Sequence, residues 1–371
     1  MRFTIERDAL LKSLTLVSKA IPQKTELPLF MNFKLALTEK GLEITGSDGN
    51  ISILTIVPFM IGEKEIIRNS QEGKTLITVK FAEIIRHLED EYCTIELVDN
   101  SILKIEDSKS KIDLNSIRAE EYPDIDLSLS GTTLVVSAKD IQSLAESTAF
   151  AASIKEIPPY LTAVNLSAEN FKLTATATDT ARLARKTIDI ESDAKFVANI
   201  PAKKLLDIVR SFDGAEEVTM AISEKKAVFS FGNSIISTRL ISGKYPDTRN
   251  IFPKNFNHYL EVNSSEFLKA MERASLLSAK SEGIVKMIMD EDEVEMISRS
   301  SMVGSSNEKL SVFQYSGEHL EISFKSTLVA DAIRACKSED VTIAFVGEMK
   351  PFVVKNVKDP SIEMLVTPLR S

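Results

Sequence analysis

The chain has 371 residues, 43% of them hydrophobic and 27% charged, with only 13 Gly and 12 Pro. That length exceeds one ordinary core and points to two or three domains, while the composition excludes collagen-like, low-complexity and wholly disordered chains. A formal charge of −9 excludes a protein coated in basic surface but leaves room for a local basic lining on an acidic exterior.

Met1 to Arg7 alternates polar with apolar side chains and lacks the apolar core of a secretory signal. The longest apolar stretch, 51–61, is interrupted by Ser, Thr and Pro, so a soluble, cytoplasmic protein without a spanning helix is expected. Phe3 to Arg7 then reads as a short strand entering a helix through a capping Asp8, with Leu10, Leu11, Leu14 and Val17 on one helical face. The same strand-to-helix pattern returns at Leu134 and at Leu260. A second strand-to-helix unit follows in each repeat: 76–80 before 81–88, 196–200 before 202–209, and 320–324 before 327–333. Phe81, Ile84, Ile85 and Leu88 form the apolar face of one such helix, and Leu205, Leu206 and Val209 that of another.

Alternating runs between these units, among them 33–37, 51–57, 94–98, 218–222, 227–231 and 341–345, predict antiparallel strands that outnumber the helices. Glu121-Tyr122-Pro123-Asp124 and Lys244-Tyr245-Pro246-Asp247 punctuate the repeats, because each Pro holds its neighbourhood extended. The expected fold class is α+β, with three domains of one kind over 1–125, 130–247 and 251–371, each carrying two helices on antiparallel sheets.

No pattern for chemistry emerges. Gly41, Gly46 and Gly49 sit among hairpin signals rather than at a phosphate-cradling turn, and three scattered His lack metal-ligand spacing. Ser101 to Lys104 matches a nucleophile motif only by falling inside a strand. Asp48 and Asp179 occupy matching places and read as turn-capping residues, and Cys93 and Cys336 as isolated buried thiols. No catalytic residue, metal or cofactor is expected. The six helix windows carry 13 basic against 11 acidic side chains, which makes them relatively positive in a chain of net charge −9. Their exposed faces would present Lys12, Lys80, Arg86, Lys203, Arg210 and Arg273.

Four local patterns, together with the triple repeat, resemble the bacterial DNA polymerase sliding clamp family, the beta subunits of the replicative polymerase. They are Met1-Arg2-Phe3-Thr4-Ile5 with Leu27-Pro28-Leu29, Ala177-Thr178-Asp179 running to Arg182-Leu183-Ala184, Lys244-Tyr245-Pro246-Asp247 with Phe252-Pro253-Lys254, and Leu365-Val366-Thr367-Pro368-Leu369-Arg370. The resemblance implies a non-enzymatic processivity factor, a head-to-tail homodimeric ring whose helices line a hole around duplex DNA. Twelve helices about 10 Å apart would trace a ring about 38 Å across. It also implies partners beyond DNA: the replicative polymerase, the clamp loader and repair proteins, each docking a linear peptide.

Residue by residue, the resemblance assigns Lys24 to DNA contact, and the repeat pattern extends that role to the six basic side chains above. The peptide groove falls on Leu161, Thr178, Arg182, Leu183, Pro253, Met349, Pro351, Pro368, Leu369 and Arg370, and the dimer interface on Ile112 and Leu114 against Leu276 and Leu277. Thr180-Ala181 stands where this family often has Gly-His. The strip from Arg299 to Asn307 is Ser-rich rather than acidic, so the expected dimer is held mainly by apolar and backbone contacts and is looser than typical.

Overall fold

The computed structural model of the chain describes residues 1–277, 283–300, 302–311 and 313–370. Among the described residues six α-helices form where the periodicity predicts them: α1 (Arg7–Ser18), α2 (Lys80–His87), α3 (Ala138–Thr148), α4 (Ala202–Val209), α5 (Ser264–Ser275) and α6 (Ser326–Cys336). Strands lead into them, as the first enters α1 directly from Arg2–Glu6.

The capping expectation at Asp8 is corrected. α1 begins two residues earlier than a cap at Asp8 implies, at Arg7, with Glu6 at the N-cap and no side-chain cap hydrogen bond. Asp8 instead takes up the Arg7 guanidinium at 2.9 Å in the first turn, where its charge still complements the helix dipole. α5 shows the alternative: the Asn263 side chain accepts from the Ser265 and Glu266 backbone N–H groups, satisfying two of the donors that a helix start leaves free. On α1, Leu10, Leu14 and Val17 are buried while Leu11 is half-buried. Each fully buried side chain contributes about 1.5–3 kcal/mol.

The chain divides into two compact units, Met1–Ala138 with Asp207–Leu240 and Lys139–Leu206 with Ile241–Ser371. The first unit carries a 13-stranded antiparallel sheet against which α1 packs, chiefly on Gly41–Ser47 and Ile51–Val57. The second carries a nine-stranded sheet and a four-stranded sheet, with α5 and α6 packed on each other. The middle repeat is thus shared: its strands at 132–137 and 217–239 join the first unit's sheet, and those at 163–201 join the second's.

Steric closeness fixes matching glycines at two strand starts. A Cβ on Gly41 (φ +127°) would lie 2.1 Å from the Val57 carbonyl oxygen, and one on Gly131 (φ +94°) 2.1 Å from that of Ile222. Both cysteines are buried and free, and burial pushes both thiols up to about 12, so neither is a thiolate at neutral pH. Asp48 and Asp179 do cap turns. Asp48 Oδ1 accepts from the Asn50 and Ile51 N–H groups, and Asp179 Oδ1 from those of Ala181 and Arg182.

Candidate nucleic-acid interface and peptide groove

Each basic side chain expected to meet DNA is exposed. Lys24 lies in the loop after α1, Lys80 and Arg86 on α2, and Lys203 on α4. Arg210 lies just beyond α4, which ends at Val209, so it belongs to the following turn rather than to the helix itself. None of these five makes an ion pair among the described residues. Arg273 differs, because its guanidinium is held by Glu308 at 2.9 Å and its charge is largely spent inside the molecule.

The first unit brings two of these residues together. A cleft of about 420 Å³ beside α1 is lined by Lys12 and Lys19 from the first repeat and by Arg210, Ser211 and Asp213 from the second. Lys19 Nζ donates to Ser211 Oγ at 2.9 Å. Lys12 stands 3.9 Å from Asp213, and both are so exposed that the pair holds neither in place. Three cations therefore converge on one concave surface with a single carboxylate beside them. Among the described residues no cluster of three or more His, Cys, Asp or Glu is placed to hold a metal ion.

In the second unit, strand pairing brings together some of the residues expected to form a groove. Arg182–Asp189 runs antiparallel to Ile362–Val366, with Leu183 opposite Leu365. The Thr367 N–H donates to the Ala181 carbonyl, and the Leu369 N–H to that of Ser323, which seats Pro368 and Leu369 beside the 178–183 turn. The Thr178 N–H donates to the Tyr245 hydroxyl at 3.0 Å, and burial pushes that phenol well above its ordinary pKa, so it stays protonated. Thr180 adopts φ +78°, a left-handed conformation costly for a β-branched residue, at the place where the first repeat has Gly49 at φ +85°.

Arg182 is committed within the chain. Its Nε meets Asp179 at 3.1 Å, its Nη1 meets Asp331 of α6 at 2.6 Å, and its guanidinium lies 5.2 Å from the Phe150 ring centre. It thus fixes the turn against α6 rather than offering a free charge to a ligand. Leu161, on the 3₁₀ helix Pro159–Thr162, and Leu183 are buried, at 6% and 4% exposure. Met349 and Pro351 lie in the turn before Phe352–Lys355, with Met349 exposed, and Arg370 is exposed at the end of the described chain. Pro253 lines a neighbouring cleft with Phe252 and Phe256. Tyr245 and Asp331 lie outside the site residues expected from the sequence. Tyr245 carries a signal there, since it belongs to the repeated Tyr-Pro-Asp punctuation.

Of the residues expected at the interface, Ile112 and Leu114 lie on a strand at a sheet edge, and Leu276 and Leu277 follow α5. Three series of four strands end at Ile51–Val57, Arg182–Asp189 and Gly304–Lys309, and three others end at Lys111–Ile117, Ser234–Arg239 and Ile362–Val366. Two joints form within the chain, Ile51–Val57 with Ser234–Arg239 and Arg182–Asp189 with Ile362–Val366. Gly304–Lys309 remains at the edge of its sheet, and Lys111–Ile117 meets its neighbour Gly73–Thr78 only at Ser116 and Ile117. Ile112 and Leu114 are half-buried on that open edge, while Leu276, after α5, is 73% exposed and Leu277 half-buried. The Ser-rich strip is described except for Ser301, which lies outside the described residues.

Comparison with known proteins matches the whole chain. The family models for the DNA polymerase III beta subunit match over residues 1–128 (N-terminal domain), 135–247 (central domain) and 249–370 (C-terminal domain). The beta sliding clamp of Bacillus subtilis (strain 168) is 32% identical over 377 residues, covering all of both chains. Among solved structures, the DNA polymerase sliding clamp from Bacillus subtilis has a TM-score of 0.94 at 31% identity, covering 100% of this chain and 99% of that one. The beta subunit from the DNA polymerase of Streptococcus pyogenes also has a TM-score of 0.94, at 30% identity over the full length of both chains.

Proposed function

The chain belongs to the DNA polymerase III beta subunit family, and on that premise we propose that it is a sliding clamp. It is a processivity factor without an active site or cofactor of its own, acting on DNA in the cytoplasm. It closes round duplex DNA as a head-to-tail homodimer and tethers the replicative polymerase, the clamp loader and repair proteins through short peptides. The repeats over 1–125, 130–247 and 251–371 serve as its domains.

The observation that carries this reading is the unmatched pair of strand edges. Two of the three joints that the repeats call for are made inside the chain, and the leftover edges, 304–309 and 111–115, differ from each other. An edge of one chain therefore pairs with the other kind on the next, a heterologous contact, and two chains with six repeats complete the set. Pairing also removes two exposed edges that would otherwise template aggregation.

Such a protein holds DNA by linkage rather than by tight contact, so a mildly basic lining suffices: scattered phosphate contacts position the duplex and read no sequence. Charge reversal of the convergent pair, Lys12→Glu with Arg210→Glu, is expected to shorten retention on nicked circular DNA severalfold at low salt. It should also lower the salt slope by about 1–2, at roughly 0.9 for each phosphate no longer neutralised. The dimer should sediment unchanged. Retention and slope equal to those of the parent protein would mean that this surface does not face the duplex.

A further inference from the structure

Along Arg182–Asp189 the side chains alternate between two faces of the nine-stranded sheet. Arg182 and Lys186 reach α6 and α3 on one face, through Asp331 and Ser143. Arg185 points to the other, where it donates to the Thr248 hydroxyl at 2.9 Å and stacks 4.8 Å from the Phe252 ring centre. Strand register continues this second face in two rows. Leu183, Leu365 and Val353 form one, and Arg185, Glu363 and Lys355 the other.

The segment after Thr248 leaves a cleft of about 450 Å³ on that face, lined by Phe252, Phe256, Lys254, Lys355, Val353 and Val357. Lys355 Nζ sits 4.2 Å from the Phe256 ring centre, and Val357 is 71% exposed. The cleft's carboxylate, Glu363, is paired with Arg185 at 3.5 Å, whereas Lys254 and Lys355 make no ion pair among the described residues. Two aromatic walls with two unspent cations stand out in a chain of net charge −9. Val353, which lines the cleft, continues in register to Leu365 and Leu183, and all three are buried at 3–4% exposure.

We propose that the cleft receives an acidic segment of a client protein: an extended peptide whose aromatic or aliphatic side chain seats between Phe252 and Phe256 while adjacent Asp or Glu side chains meet Lys254 and Lys355. The inference rests on the clamp reading, because that reading supplies client proteins that dock short peptides. Complementary charge at the rim selects among clients more than it tightens any one of them.

Two fluorescein-labelled twelve-residue peptides test it, one carrying a phenylalanine followed by three glutamates, the other with glutamines in place of the glutamates. Each is titrated by anisotropy into the full-length protein and into Lys254→Glu/Lys355→Glu. The parent protein is expected to prefer the glutamate peptide by about tenfold at low salt, and the variant to lose that preference. Lys254→Gln/Lys355→Gln, checked for an unchanged melting temperature, should fall between them. Equal binding of the two peptides by the parent protein, or a preference that survives charge reversal, overturns the inference. The same preparation is assayed for retention on circular DNA. Linkage without peptide preference removes only the cleft assignment, whereas preference without linkage removes the clamp reading.

Discussion

Leu114→Asp is expected to turn the dimer into a monomer and to abolish retention on circular DNA. Leu114 pairs across the hairpin with Leu103, and Ile112 with Ile105, so both point to the face where Leu103 and Ile105 are fully buried. The joint already made inside the chain shows what happens to such positions: Ile53 and Ile236, facing each other across it, are 1% and 0% exposed. A carboxylate at Leu114 would be desolvated at each joint, at a cost of several kcal/mol. About 4 kcal/mol weakens association roughly a thousandfold. Asn115→Asp, on the opposite face of the strand, should leave the dimer intact. Sedimentation equilibrium reads both, and a Leu114→Asp protein that stays dimeric at micromolar concentration would refute the edge pairing.

Lys186→Ala is expected to destabilise the second unit by about 2–3 kcal/mol, read as a lower urea midpoint. The lysine is 8% exposed on its side chain and joins α3 to the 356–361 turn by donating to Ser143 Oγ at 2.7 Å and pairing with Asp359 at 3.0 Å. Removing one partner of a buried pair costs about 3–5 kcal/mol, and the value here is set lower because Asp359 is 36% exposed. Partial burial alone would raise the Asp359 carboxyl, but hydrogen bonds from Ser361 and Lys186 outweigh it and hold the group below the usual carboxylate range. A depressed native pKa gives stability that is present above about pH 4, where the unfolded carboxyl ionises, and lost as the pH falls through the native value. Lys186→Ala should therefore flatten the acid side of the stability profile. Lys186→Met with Asp359→Asn should recover much of the loss.

Local features were legible in the sequence because local physics sets them. The 3.6 and 2 periodicities placed all six helices, the matching Asp48 and Asp179 turns followed from side chains that cap their own backbone, and lone cysteines in apolar runs proved buried. The start of α1 differs from the expectation, since the helix begins two residues before a cap at Asp8 would put it and Asp8 pairs with Arg7 instead. The strand Ile67–Gln71 was missed because its sequence is polar, and only backbone pairing with Arg2–Glu6 makes it a strand. Nor does any local signal show that 51–57 will pair with 234–239, or that Asp331, 149 residues from Arg182, will take its charge. The same holds for Pro253, which lines an aromatic cleft with Lys355 from a distant strand.

A sliding clamp holds DNA by encircling it. The direct measurement is retention on nicked circular DNA, with the matching clamp loader and ATP, before and after the circle is cut. Release on linearisation, at a salt concentration that leaves the circular complex intact, is the predicted result. Equal retention on both forms would mean ordinary surface binding and no encirclement.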